Sequence, residues 1–219
     1  MAVTGLVSIL AGILLSTLSF AKTKAVQVHC SSNMKQLGLA LLMYADEYGG
    51  WLPEAAAKAT QERASWHQRI QTQLGNTMRV AVCPADEHAR ERVKTRATSY
   101  VLNEFTSVDQ RDNDRQVVET FRNVDRLKQP AGTMILFVAS HSASAALTQE
   151  YAPSRRWLNG WKLVVEDIDP ERHRFCGHGD NRPRGGSNYL FADAHVEAIA
   201  AGRLKARIDR GENFARPPF

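Results

Sequence analysis

Metal-type ligands are concentrated in one short stretch towards the carboxy end of the chain. From 173 to 180 the sequence reads HRFCGHGD, which places two imidazoles, one thiol and one carboxylate within eight residues. Zinc takes such donors, but a structural zinc site needs four of them and the usual C-x2-C pair is missing. The four candidate ligands are His173, Cys176, His178 and Asp180. A polar, glycine-containing loop is the favoured interpretation, and Cys83 or His195 would complete a zinc site only if the fold brought them close.

Other patterns that could support chemistry are weaker. Asp109, Asp112 and Asp114 could bind calcium, although alternating aspartates are common in solvated loops. The chain has no G-x-S-x-G motif and no Cys/His signature of a nucleophilic enzyme. It also has no lysine-bearing glycine loop of the kind that binds phosphate. The sequence therefore predicts a protein that is not an enzyme and has no cofactor, with Ca or Zn as the remaining options.

Charge and cysteine content exclude further classes. The net charge of +5 is small, and basic and acidic residues alternate, as in 87–92. This pattern is typical of a solvated surface and predicts no nucleic-acid partner. Three cysteines, Cys30, Cys83 and Cys176, are too few for a disulfide framework, and the sequence leaves their pairing open.

The amino-terminal segment differs from the rest of the chain. Residues 2–21 contain no charged side chain, and about 20 apolar residues are enough for a helix to cross a bilayer. Helical apolar spacing continues without proline through 22–48, until Gly49 and Gly50. We predict one helix with a transmembrane half at 2–21 and an amphipathic half at 22–48. The alternative is a secretory signal cleaved after Ala21.

The elements after this helix predict an α+β fold, a long amino-terminal helix packed on an antiparallel β-sheet domain with long loops. Apolar runs predict strands at 78–83, 99–103, 133–139 and 157–165, and a helix at 60–74. The continuous apolar character of 133–139 indicates a central strand that is buried on both faces. A hairpin is predicted around Asp193, and the domain division is 1–48 and 49–219.

Several short motifs occur in a fixed order along the chain. They are CSSNMKQLGLA at 30–40, MYADEY at 43–48, CPAD at 83–86, SYVLN at 99–103, PAGT at 130–133 and GGSNYLFADAHV at 185–196. This series resembles the large pseudopilin-like proteins of planctomycetes and their relatives. Those proteins join a prepilin-type amino terminus to a carboxy-terminal domain of unknown function with an H-x9-DG motif. The resemblance implies structural roles for Cys30, Asn33, Lys35, Gln36, Leu37, Cys83, Pro84, Asp86, Ser99, Tyr100, Asn103, Gly186, Asn188, Phe191, Asp193 and His195.

Three positions depart from the family pattern. Met1 falls inside the prepilin-type helix, so the processing site and its glutamate are absent, and either the start codon is assigned late or this copy is not processed. The motif histidine would fall at Pro183, and the motif glycine is Ala194. In a type I′ hairpin turn, where both turn residues need positive φ, alanine costs roughly 1 kcal/mol or forces another turn type.

The resemblance also implies a function and a location. It implies a non-catalytic, pseudopilin-like structural protein of a type II secretion or type IV pilus-like assembly. The chain would be a single-pass protein of the bacterial inner membrane with a periplasmic domain. Its partners would be inner-membrane lipid and other pseudopilin subunits, contacted through the amino-terminal helix. The alternative is a signal-cleaved secreted or periplasmic module that binds a metal or a glycan.

Overall fold

The computed structural model describes residues 2–56, 64–146, 149–173 and 185–218, and for 2–16 it describes the backbone alone. In these residues the helices are α1 (Ala2–Glu47), α2 (Trp66–Arg69), α3 (Ala89–Thr95), α4 (Glu104–Ser107), α5 (Trp161–Asp167) and α6 (Ala201–Asp209). The strands are β1 (Tyr100–Asn103), β2 (Gln110–Arg111), β3 (Val117–Glu119), β4 (Met134–Val138), β5 (Tyr151–Ala152), β6 (Gly186–Phe191) and β7 (Val196–Ala200). Short 3-10 helices occupy Met78–Ala81, Val124–Arg126, Pro130–Gly132 and Ser154–Asn159.

The long first helix is continuous, as the sequence predicts. It ends before Gly49 and Gly50, which both have positive φ, and Gly50 N donates a hydrogen bond to Ala45 O (2.8 Å). Its buried face carries Cys30, Met34, Leu37 and Leu41, whose spacing of three or four residues places them on one side of a helix. Within the side chains that the structure describes, no helix is both long and apolar enough to cross a membrane. Residues 2–16, which are most of the predicted transmembrane half, are not among the residues whose side chains the structure describes.

The main sheet has five strands in the order β5-β1-β4-β6-β7. The prediction of a central, doubly buried strand is confirmed by β4, which lies in the middle and whose five residues are all buried. Helix α1 covers one face of the sheet. The other face packs against aromatic and aliphatic side chains of the carboxy-terminal half, including Trp157, Leu204 and Phe214. The sheet is antiparallel except at its edge, where the short strand β5 runs parallel to β1, so it is a mixed sheet.

Three secondary-structure predictions were wrong in detail. The run 78–83 forms the 3-10 helix Met78–Ala81 and a turn, and 157–165 forms parts of the 3-10 helix Ser154–Asn159 and of α5. A short apolar run shows only that a segment is buried, so its periodicity does not distinguish a strand from a helical turn. The helix predicted at 60–74 is reduced to α2, and 57–63 lie outside the described residues.

The β6–β7 hairpin meets α1 at an unusually close contact. Ala194 in the turn has φ 64° although it carries a Cβ, whereas Asp193 is not among the described residues with positive φ, so the turn is not the type I′ turn of an Asp-Gly pair. Opposite the turn, a Cβ added to Gly38 would lie 2.6 Å from Leu190 Cδ1 and 3.1 Å from Ala194 Cβ. A glycine at 38 therefore allows the helix to lie against the hairpin.

Candidate functional site

The described residues contain a buried cluster of two thiols and an imidazole. One ligand atom each from Cys30, Cys83 and His173 lies within 4.8 Å of the other two. Cys30 and Cys83 are 0% exposed and His173 is 2% exposed. The three residues come from α1, from the turn before Pro84 and from the segment after α5, so the cluster joins three distant parts of the chain.

Local hydrogen bonds hold the two cysteines in place. Cys83 N donates to Ser99 Oγ (3.0 Å), and Asp86 N donates to Cys83 O (3.0 Å). One helical turn after Cys30, Asn33 Nδ2 donates to Val82 O (3.0 Å). Asn33 therefore fixes the backbone next to Cys83 against the same face of α1 that presents Cys30.

The third member of the cluster is held by the sheet. His173 N donates to Gly186 O (2.9 Å), and Gly186 N donates to His173 O (3.4 Å). This bridge attaches the histidine backbone to the first residue of β6. His173 Nε2 is buried and has no hydrogen-bond partner among the described residues.

The two thiols have different acidities. The hydrogen bond from Cys83 lowers the pKa of the Cys30 thiol well below its ordinary value and outweighs burial. The same hydrogen bond, together with burial, raises the pKa of the Cys83 thiol. The Tyr100 hydroxyl lies 3.5 Å from Cys30 Sγ, and burial raises the pKa of this phenol, so it stays protonated. Cys30 is consequently the cysteine that ionises first.

Of the four metal ligands predicted from the sequence, the structure describes only His173. His173 lies beside Cys83, whereas Cys176, His178 and Asp180 fall in 174–184, outside the described residues. His195 is on the exposed hairpin turn, where its Nδ1 lies 2.6 Å from Asp193 Oδ1 and its ring stacks on Phe191.

Two of the three candidate calcium ligands, Asp109 and Asp112, already have protein partners. Asp109 accepts hydrogen bonds from Thr120 Oγ1 (2.7 Å) and Arg122 Nη1 (2.9 Å). Asp112 Oδ1 accepts bonds from the backbone N–H groups of Asp114 (3.0 Å) and Gln116 (2.8 Å). These contacts are those of a self-capped surface loop.

The buried motif residues form packing and hydrogen-bond contacts between elements. Asn188 Nδ2 donates to Gln27 O of α1 (3.0 Å), so β6 is attached to the helix backbone. Asn103 Nδ2 donates to Met134 O (2.7 Å) and Ala215 O (2.6 Å). Asp86 forms a buried ion pair with Arg92 (2.8 Å). Leu37 is buried in the core, whereas Lys35 and Gln36 are exposed on α1.

Sequence reasoning missed Cys30 as a partner of Cys83 and His173. The only available signal was that Cys30 and Cys83 lie in apolar surroundings away from the glycine-histidine stretch. That signal indicates burial, but it does not indicate which buried groups meet.

A groove of about 770 Å³ opens beside the cluster. Its lining includes His29, Asn33, Val82 and Pro84, which lie close in sequence to the two cysteines. Arg79, Arg90 and Lys94 add positive charge to an otherwise largely apolar surface. Cys30, Cys83 and His173 are not among the residues that line this groove.

Comparison with known proteins gives one match. Residues 21–155 match the family described as a protein of unknown function, DUF1559. No curated protein and no solved structure matches the chain. The matched range includes α1 from Ala21, both cysteines of the cluster and the strands β1 to β5, but not His173.

Proposed function

The chain belongs to the DUF1559 family of planctomycete-type pseudopilin-like proteins with the H-x9-DG domain, and from this membership we propose that it is a membrane-anchored, non-catalytic structural subunit of a pseudopilin-like assembly. Its carboxy-terminal domain faces the periplasm. Its amino-terminal helix contacts inner-membrane lipid or the helices of other subunits in a type II secretion or type IV pilus-like system.

The observation that carries this proposal is the exposure of apolar side chains on the amino-terminal part of α1. Residues 17–25 are exposed, and the first buried residue of the described helix is Gln27. Leu18 is 67% exposed and Phe20 is 61% exposed. Apolar side chains on a projecting helix favour contact with lipid or with another apolar helix.

The attachment of the helix to the domain supports a structural role. Asn188 binds the helix backbone at Gln27, Asn33 binds the segment before Cys83, and Gly38 lets the helix touch the hairpin. These contacts are spread from Gln27 to Gly38 of α1. Because the helix is attached to the domain at several points, the two move together. A subunit whose helix packs into an assembly needs such an attachment to hold its domain in place.

The location of the described Cys/His cluster supports a non-catalytic function. Its three members are almost completely buried, whereas an active site must admit substrate to its reacting groups. The exposed pair Asp193 and His195 lies on a hairpin turn.

The proposal is tested by membrane fractionation with site-specific photocrosslinking of the full chain. A photoreactive phenylalanine analogue replaces Phe20 in one variant and Val118, which is 58% exposed on β3, in a matched control. We expect the chain in the alkali-resistant membrane fraction. The probe at 20 should attach to lipid or to a second copy, and the probe at 118 should not attach to lipid.

Mass spectrometry of the mature amino terminus tests the alternative of a cleaved secreted module. A mature chain that starts at Lys22 and fractionates with the soluble proteins would contradict membrane anchoring. A mature chain that retains residues 2–21 would exclude signal cleavage after Ala21. Crosslinks from position 20 only to the chain's own domain would also contradict the proposal.

A further inference from the structure

The cluster of Cys30, Cys83 and His173 has the donor set of a thiophilic metal site. We propose that these three residues bind one Zn²⁺ ion, which ties α1 to the sheet domain. The proposal concerns the folded domain and does not depend on membrane anchoring or on assembly with other subunits.

The spacing of the three donors suits zinc. Zinc binds thiolate sulfur at about 2.3 Å and imidazole nitrogen at about 2.0–2.1 Å, so two sulfurs on one tetrahedral ion are about 3.7 Å apart. All three donor atoms already lie within 4.8 Å of one another. Binding therefore requires shifts of about an ångström, which side-chain rotation supplies.

The buried Nε2 atom of His173 is a second indication of a ligand. His173 is 2% exposed, and its Nε2 has no hydrogen-bond partner among the described residues. Buried polar atoms in folded proteins almost always have a partner, and an orphan requires an explanation. A metal ion held between this ring and the two sulfurs would satisfy it.

Charge favours zinc over the other ions that this donor set could bind. Two thiolates and a neutral imidazole cancel the charge of Zn²⁺, and a neutral complex suits a site that water does not reach. Cu⁺ would leave a net negative charge in the same buried position. Calcium, which the sequence left open, takes oxygen ligands, and this cluster offers sulfur and nitrogen.

The surroundings can support a bound ion. Tyr100 Oη lies 3.5 Å from Cys30 Sγ and can donate a hydrogen bond to a metal-bound thiolate. The bridge to Gly186 fixes the backbone of His173. A tetrahedral zinc ion takes four ligands, so the fourth position would be filled by a group that the described residues do not supply.

A Cys30–Cys83 disulfide is the competing outcome for two adjacent thiols. Oxidation would join the sulfurs at about 2.05 Å and release two protons and two electrons to an oxidant. The ring nitrogen of His173 would gain no partner from this bond. The metal site accounts for all three side chains, whereas the disulfide accounts for two.

Elemental analysis of the full chain, purified with reductant and without added chelator, tests the proposal directly. We expect about one zinc per chain, falling to below about a tenth in Cys30→Ser, Cys83→Ser and His173→Gln. His29→Gln is the matched control, because His29 is exposed on α1 next to Cys30, and it should retain the ion. Circular dichroism checks that each variant is folded.

A measurement on the wild-type chain alone keeps the test independent of variant folding. Metal-free protein is titrated with Co²⁺, which should produce thiolate-to-cobalt charge-transfer absorption that Zn²⁺ abolishes. The absence of this absorption in folded, reduced protein would overturn the proposal. A metal-free chain with Cys30 and Cys83 joined by a disulfide would also overturn it. Zinc that is lost in Cys176→Ser but retained in Cys30→Ser would place the ion elsewhere.

Discussion

Replacing Gly38 with alanine should weaken the contact between α1 and the β6–β7 hairpin. The new methyl group would lie 2.6 Å from Leu190 Cδ1, 3.1 Å from Ala194 Cβ and 3.3 Å from Ala194 Cα. Leu190 and Ala194 are 0% and 1% exposed, and the turn backbone at Ala194 is constrained by its positive φ. The neighbours therefore have little room to move away from the added group.

Two opposing effects set the size of the change. Alanine is more favourable than glycine inside a helix by about 0.8–1.0 kcal/mol. Adding a methyl group to a packed core typically costs about 1–3 kcal/mol. Because the nearest distance is far below ordinary contact, we place the cost at the upper end of this range and expect a net loss of about 1–2 kcal/mol in the free energy of unfolding.

Urea unfolding of the purified chain, followed by tryptophan fluorescence, measures this loss. Ser32→Ala is the control, because Ser32 is exposed on the same helix, and it should leave stability unchanged or slightly raised. A double-mutant cycle with Leu190→Val removes the Cδ1 atom that clashes. The two substitutions should then couple favourably by about 1 kcal/mol. A Gly38→Ala chain as stable as Ser32→Ala, or a coupling energy of zero, would refute the reasoning.

Three further predictions concern buried polar groups. Asn103→Asp replaces two donated hydrogen bonds by repulsion between a carboxylate and two carbonyl oxygens. The free energy of unfolding should fall by about 3 kcal/mol or more, which lowers the midpoint of thermal unfolding. An unchanged midpoint would contradict the bonding at this site. Arg92→Met leaves the buried Asp86 carboxylate without its ion-pair partner and should lower the free energy of unfolding in urea by about 3–5 kcal/mol. The double variant with Asp86→Asn should recover most of that loss, because the buried charge is then removed as well. Burial holds the pKa of His67 below its ordinary value of 6.5, so the unfolded chain takes up the proton first as the pH falls. The free energy of unfolding should therefore decrease as the pH falls through about 6.5. Between pH 7 and pH 5 this decrease should be smaller in His67→Gln than in the wild-type chain. Equal decreases in the two chains would show that His67 does not contribute.

Sequence reasoning was most reliable where the pattern is local and periodic. The long helix follows from apolar residues at helical spacing and from the glycines at 49 and 50. The central strand β4 follows from its continuous apolar run. In each case the residues that determine the element are neighbours in the chain.

The same reasoning failed where a short apolar run was the only signal. Segments 78–83 and 157–165 place only some of their side chains in the core, Val80 to Cys83 in the first and Trp157 and Val164 in the second, and they form helical turns. Burial alone is compatible with a strand, a 3-10 helix or a short α-helix. Tertiary packing selects among these forms, because a segment adopts the backbone that fits the space beside its neighbours.

The amino-acid sequence by itself determined the family, the α+β class, the continuous first helix and the kinds of side chain that could bind a metal. Only the tertiary structure decided which of those residues meet. Cys30, Cys83 and His173 lie on segments that have no local relation in sequence, and the sheet, α1 and the Gly186 bridge bring them together. Periodicity encodes the face on which a side chain lies, whereas the partner across that face depends on how every element packs.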